Sequence, residues 1–123
     1  MKTLFHHIAI KTPKYQETID FYGGIFGFLI GETFEIGDTG MRIQRLEKDN
    51  FTIEVIESME HENESNDRFH LVFEVEDPES MARKMLELNI KMTEGPLRIG
   101  NELIYFFEDP NGIEVELNNR LRV

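Results

Sequence analysis

The chain repeats itself. HHIAIKTPKYQETIDFY, starting at His6, and FHLVFEVEDPESMARKML, starting at Phe69, have the same plan. In each, a histidine opens a short apolar run, and the run gives way to a helix-start signal. That signal is Thr12-Pro13 in the first copy and Asp77-Pro78 in the second. A Thr or Asp cap followed by Pro at the first helical position opens a helix, because the cap side chain accepts a free N–H and proline has none to waste. Apolar residues then recur at helical spacing: Tyr15, Ile19 and Tyr22 in one copy, Met81, Met85 and Leu88 in the other. Gly23 and Gly24 are expected to end the first helix. A period this long makes each copy one supersecondary unit, and the fold must be built from two of them.

Three strand-like segments follow each helix. In the first copy they are 28–34, 41–46 and 51–56; in the second they are roughly 90–93, 103–107 and 113–117. Turn signals separate them: Gly37-Asp38-Thr39-Gly40, Asp49-Asn50, Gly95-Pro96 and Asn111-Gly112. The plan is therefore βαβββ twice, an α+β domain of two modules at about 1–57 and 69–123. The polar run SMEHENESNDR, from Ser58 to Arg68, reads as a solvated linker. Each module has one amphipathic helix, which covers one face of a four-stranded sheet. The other face needs a partner or lines a cavity.

Alternation along the strands says what that second face carries. His7, Ala9 and Lys11 oppose Ile8 and Ile10; Thr52, Glu54 and Ile56 oppose Phe51, Ile53 and Val55. In the second copy His70, Val72 and Glu74 oppose Leu71, Phe73 and Val75, while Glu114, Glu116 and Asn118 oppose Ile113, Val115 and Leu117. A His or a Glu thus sits opposite the bulky apolar set in all four strands. His7 to Glu54 is 47 residues (54 − 7) and His70 to Glu116 is 46 (116 − 70). Matching Ile53-Glu54-Val55 to Ile113-Glu114-Val115 would choose Glu114 instead. Counting from the preceding turn chooses Glu116, since Glu54 is four residues after Asn50 and Glu116 is four after Gly112. His6 falls on the apolar face with Ile8, and His61 lies in the linker, where solvation is expected.

Composition narrows the function classes. A net charge of −11, from 24 acidic and 13 basic residues, repels phosphate backbones and anionic membranes. Nucleic acid is therefore not an expected partner. No stretch is long and apolar enough to span a bilayer, and the apolar part of MKTLFHHIAIKTP is too short for a signal peptide. With no cysteine there is no disulfide, thiolate ligand or thiol nucleophile. A cytoplasmic protein acting on a small molecule is the expectation.

Burying an isolated carboxylate is costly, so Glu54 and Glu116 call for water, a cation or a metal. A lone His or Glu on an open sheet face is more often solvated than ligating. Two His and two Glu recurring together point instead to a divalent ion, and imidazole nitrogen with carboxylate oxygen suits Zn, Ni, Co, Mn or Fe(II). Such an ion would polarise a carbonyl and stabilise an enediolate, with Glu116 or Glu54 carrying the proton as general base and acid.

HHIAI, IDFYGGIFGF, HLVFEVED and FFEDPNGIEVEL together resemble the vicinal oxygen chelate superfamily, the glyoxalase fold, over almost the whole chain. The last segment is the most specific, since the family often places its ligating Glu four residues after a DP-x-G turn. The resemblance implies two βαβββ modules forming one cupped mixed sheet around a divalent metal, and a homodimer. It implies His7, Glu54, His70 and Glu116 as ligands. Glu54 places the chain with four-ligand members such as glyoxalase I (lactoylglutathione lyase) and methylmalonyl-CoA epimerase, and argues against a three-ligand Fe(II) dioxygenase. A lyase or isomerase of a hemithioacetal-like substrate is the implied activity; the alternatives are a non-catalytic binding module or another metal-dependent member, an epimerase, thiol transferase or dioxygenase. Lys11, Arg42, Arg45 and Arg98 are candidates for an anionic group of the substrate.

Overall fold

The computed structural model describes residues 1–59 and 69–119. The chain divides into two compact units, Met1–Asn63 and Glu64–Val123.

The first unit contains β1 (Ile8–Thr12), α1 (Tyr15–Phe26), β2 (Leu29–Glu35), β3 (Arg42–Lys48) and β4 (Phe51–Glu57). Its sheet runs β1-β4-β3-β2, with β1 parallel to β4 and the other neighbours antiparallel. The second unit repeats this plan with β5 (His70–Glu74), α2 (Pro78–Glu87), β6 (Met92–Ile99), β7 (Glu102–Glu108) and β8 (Glu114–Asn118). Its order is β5-β8-β7-β6, and β5 is parallel to β8. The βαβββ plan therefore holds in both copies. Among the described residues, no helix is long and apolar enough to cross a membrane.

In each unit the helix covers the face that carries the bulky apolar residues. Tyr22, Leu46, Ile53 and Val55 are fully buried in the first unit, and Met85, Phe107, Val115 and Leu117 in the second. Full burial of such a side chain contributes about 1.5–3 kcal/mol. The edge strand β2 is exposed along its whole length. Its bulge is tied down by the buried Gln44, whose amide donates to the carbonyls of Gly31 and Glu32 at 3.0 and 3.3 Å.

Three local expectations are revised. The first helix starts later than Thr12-Pro13 suggests. Thr12 is the last residue of β1, and its carbonyl accepts the Ser58 N–H at 3.0 Å, so the chain is still extended there. The Thr12 hydroxyl accepts the Lys14 N–H at 2.8 Å, and the first helical bond runs from Thr18 N–H to the Lys14 carbonyl. The helix also passes through Gly23-Gly24 and stops at Gly27, in the left-handed region at φ 74°. Buried aromatic contacts from Phe21 and Tyr22 to Phe26 carry it over the two glycines. Finally, Gly95-Pro96 is not a turn between strands. It lies inside β6 at a register shift, where the Gly95 backbone lies against Tyr105. The linker reading and His61 fall mostly on residues 60–68, outside the described residues; Ser58 itself is buried.

The second helix starts where the sequence says. Asp77 caps it, accepting the Ser80 N–H at 3.1 Å and the Ser80 hydroxyl at 2.8 Å, with Pro78 next. The backbone hydrogen bond from Ser80, joined by its hydroxyl, holds the Asp77 carboxyl below the usual range. A depressed folded-state value stabilises the fold above the ordinary Asp pKa, and this contribution disappears as the pH falls through the folded value. Asp77→Ala is accordingly expected to lower the melting temperature by a few degrees at pH 7, an ordinary cap effect. The gap from the parent should shrink as the pH falls below the ordinary Asp range. A gap that is constant with pH would show that the charge has no part in the cap.

Candidate functional site

The open face of the first unit begins at β1 and β4. Their parallel register sets Ala9 beside Glu54. His7 is two residues before Ala9, so an extended chain brings it to the same face. Its Nε2 lies 3.3 Å from Glu54 Oε1, and the carboxylate is largely buried. The second unit repeats this placement. Val72 sits beside Glu116, His70 is two residues earlier, and its Nε2 lies 3.1 Å from Glu116 Oε1. Glu116 is 7% exposed.

The position of Glu116 is set by the preceding turn. The buried Asp109 accepts the N–H groups of Asn111 and Ile113 on Oδ1, at 2.7 and 2.9 Å. Its carbonyl accepts the Gly112 N–H, and Gly112 takes the φ of 80° that the reversal needs. Although Glu114 is the Cα partner of His70, its carboxylate goes to the Thr93 hydroxyl at 3.3 Å. It is Glu116 that meets the imidazole.

The second oxygen of each carboxylate is also held, by different donors. Arg45 donates to Glu54 Oε2 from Nε at 3.3 Å and from Nη2 at 3.0 Å, reaching across from β3, where it is the Cα partner of Glu54. Its guanidinium lies over the Phe34 ring at 5.0 Å. In the second unit the equivalent partner of Glu116 is Phe106, which has no donor to offer. There Asn118, fully buried and two residues along β8, donates from Nδ2 to Glu116 Oε2 at 2.8 Å. Phe106 instead packs edge-on against the His70 ring at 5.7 Å.

The four candidate ligands are thus brought together two by two, His7 with Glu54 and His70 with Glu116. Among the described residues, no group of three or more His, Asp or Glu forms a metal-sized cluster. The donors within each pair suit a divalent ion such as Zn, Ni, Co, Mn or Fe(II), because each pair offers an imidazole nitrogen and a carboxylate oxygen less than 3.5 Å apart.

Of the other candidates, Lys11 alternates onto the same face as His7 and Ala9. Arg42 shares the helix-covered side with Gln44 and Leu46. It donates from Nε and Nη2 to the two oxygens of Glu57, at 3.2 and 3.0 Å, and sits 4.6 Å over the Tyr15 ring. The hydrogen bonds from Arg42 hold Glu57 below the usual carboxylate range. Burial pushes the Tyr15 phenol up, against the pull of the Arg42 charge. Lys11 is exposed on β1 and Arg98 on the edge strand β6, and neither is in an ion pair among the described residues. His6 is exposed, with its Nδ1 2.6 Å from that of His7. Sequence reasoning weighed Arg45 only as an anion binder and gave Asn118 no role. The available signal was their parity, since both alternate onto the face that carries the glutamates.

A sequence profile described as the Glyoxalase/Bleomycin resistance protein/Dioxygenase superfamily matches residues 4–117. Among curated proteins, the chain is 27% identical to the mitochondrial methylmalonyl-CoA epimerase of Dictyostelium discoideum, over 94% of this chain and 77% of that one. Among solved structures, it is similar to a glyoxalase family protein from Enterococcus faecalis, with a TM-score of 0.76 and 27% identity, covering 94% of this chain and 96% of that one. The fold also matches the E126Q mutant of the fosfomycin resistance protein FosX from Listeria monocytogenes, complexed with Mn(II) and 1S,2S-dihydroxypropylphosphonic acid. There the TM-score is 0.80 and the identity 16%, over 98% of this chain and 95% of that one.

Proposed function

Since the chain belongs to the glyoxalase/bleomycin resistance protein/dioxygenase superfamily, we propose that it is a metal-dependent isomerase or lyase of the glyoxalase I type. Its substrate is a small molecule with a chelating carbonyl, and the reaction moves a proton at the carbon next to that carbonyl. The observation that carries this reading is the repeated His–Glu pair, which has the same strand register in both units and the same Oε1-to-Nε2 contact. Each pair, His7 with Glu54 and His70 with Glu116, would offer an ion one imidazole nitrogen and one carboxylate oxygen. When bound, a divalent ion supplies a Lewis acid that polarises the carbonyl.

The remaining work falls to the chain. Glu116 is assigned the proton, because its carboxylate is buried and is met by one imidazole and one amide. As general base it takes the C–H proton and as general acid it returns it, a role that typically contributes 10²–10⁴-fold. Glu54, clasped by a guanidinium, is assigned a holding role, and Lys11 a place near an anionic part of the substrate. Val72 and Phe106 give the open face of the second unit an apolar border. A homodimer in the cytoplasm completes the reading.

The similarity to an epimerase favours a second outcome of the same chemistry, inversion at a carbon next to a thioester carbonyl. Purified protein loaded in turn with Ni, Zn, Co and Mn, and assayed for hemithioacetal isomerisation and for α-epimerisation of an acyl thioester, separates the two. Metal-dependent exchange of the substrate C–H with D2O, reduced about 10²-fold or more in Glu116→Gln, supports the assignment. No metal uptake together with unaltered ligand capture would establish the binding module instead.

A further inference from the structure

We propose that Arg45 is a positioning residue for Glu54. By clasping Oε2 it fixes the carboxylate so that Oε1 alone is presented on the His7 side. The inference rests on the reading of His7 and Glu54 as metal ligands, and extends it to a residue beyond the four candidate ligands.

Three observations carry it. Both Arg45 donors, Nε and Nη2, go to the same oxygen, while His7 Nε2 meets the other. A guanidinium that merely neutralised Glu54 could bridge both oxygens, as Arg42 does with Glu57 in the same unit. Secondly, the guanidinium is itself held, because it lies over Phe34 on the neighbouring strand and its side chain is only 27% exposed. Thirdly, the second unit reaches the same division of oxygens without a cation. Asn118 takes Glu116 Oε2 and leaves Oε1 to His70, while Phe106 fills the register position of Arg45. Two unrelated donors that each take the oxygen the imidazole does not meet are better explained by orientation than by charge balance. Partners of this kind, which orient a ligand from behind, typically carry 10–100-fold in metal affinity.

The test compares Arg45→Met, which keeps the apolar stem, with Arg45→Lys, which keeps the charge but replaces the planar fork with a single ammonium group. Co(II) affinity is measured by competition with a chelator, and the metal-free variants are crystallised. Arg45→Met is expected to bind Co(II) about 10–100-fold more weakly, with Arg45→Lys recovering only part of the loss. In metal-free Arg45→Met, Glu54 Oε1 is expected to leave hydrogen-bonding reach of His7. Equal or tighter Co(II) binding by Arg45→Met would mean that the guanidinium only competes with the ion, and would overturn the proposal. So would full recovery in Arg45→Lys, or an unmoved Glu54 in the metal-free variant. If the parent protein takes up no Co(II), the ligand reading fails, and the metal-free structures still decide whether Arg45 sets the carboxylate.

Discussion

His70→Ala is expected to lower divalent metal affinity by more than about 100-fold while leaving the fold intact. Removing the imidazole deletes a donor outright, which costs more than losing an orienting partner, itself worth 10–100-fold. The side chain is 41% exposed, so its truncation leaves no sealed cavity. What remains is the Phe106 ring on one side and Glu116, still held by Asn118, on the other. Titration with Ni, Zn or Co, read by elemental analysis after gel filtration, gives the affinity, and circular dichroism gives the fold. Glu114→Gln is the matched control. Its carboxylate meets Thr93 rather than the imidazole, so metal affinity should stay at the parent level. Stoichiometric metal retained in His70→Ala, or lost in Glu114→Gln, would remove the ligand assignment in the second unit.

Phe107→Ala is expected to cost about 3–5 kcal/mol of stability, the range for deleting a buried phenyl ring from a packed core. Phe107 is fully buried on β7, on the face toward α2, and its Cα partner is the equally buried Val115. The loss combines the transfer of the ring with a void that the neighbouring strands close only in part. Phe106 is the natural comparison, one residue away on the opposite face and only partly buried. Phe106→Ala should cost distinctly less, because the ring is only half-buried and water can take its place. Urea unfolding followed by circular dichroism measures both. Equal losses from the two substitutions would contradict the assignment of the helix-covered face as the core of this unit.

Much of the architecture was legible in the strand alternation. Ile53, Val55, Val115 and Leu117 were expected on the covered face, and all four are buried. Asp77-Pro78 announced α2 without ambiguity, because the capping carboxylate and the proline act within one turn. Thr12-Pro13 misled, since the same residue types can also end a parallel strand, and the bond from Ser58 that keeps Thr12 extended comes from far along the chain. Gly23-Gly24 and Gly95-Pro96 misled for a related reason. Local breakers lose when buried aromatic packing, or a paired neighbouring strand, holds the backbone on course.

The site divides along the same line. Which strand face carries the histidines and glutamates follows from alternation and from the distance to the preceding turn, both local properties of an extended chain. The sequence alone therefore determined the two-fold βαβββ plan and the parity of His7, Glu54, His70 and Glu116. Only the tertiary structure decided which atom meets which: Arg45 on one carboxylate and Asn118 on the other, with Oε1 left to the imidazole in both. That depends on strand pairing and on side-chain rotamers chosen by packing against neighbours such as Phe34. Neither leaves a mark in the order of the residues.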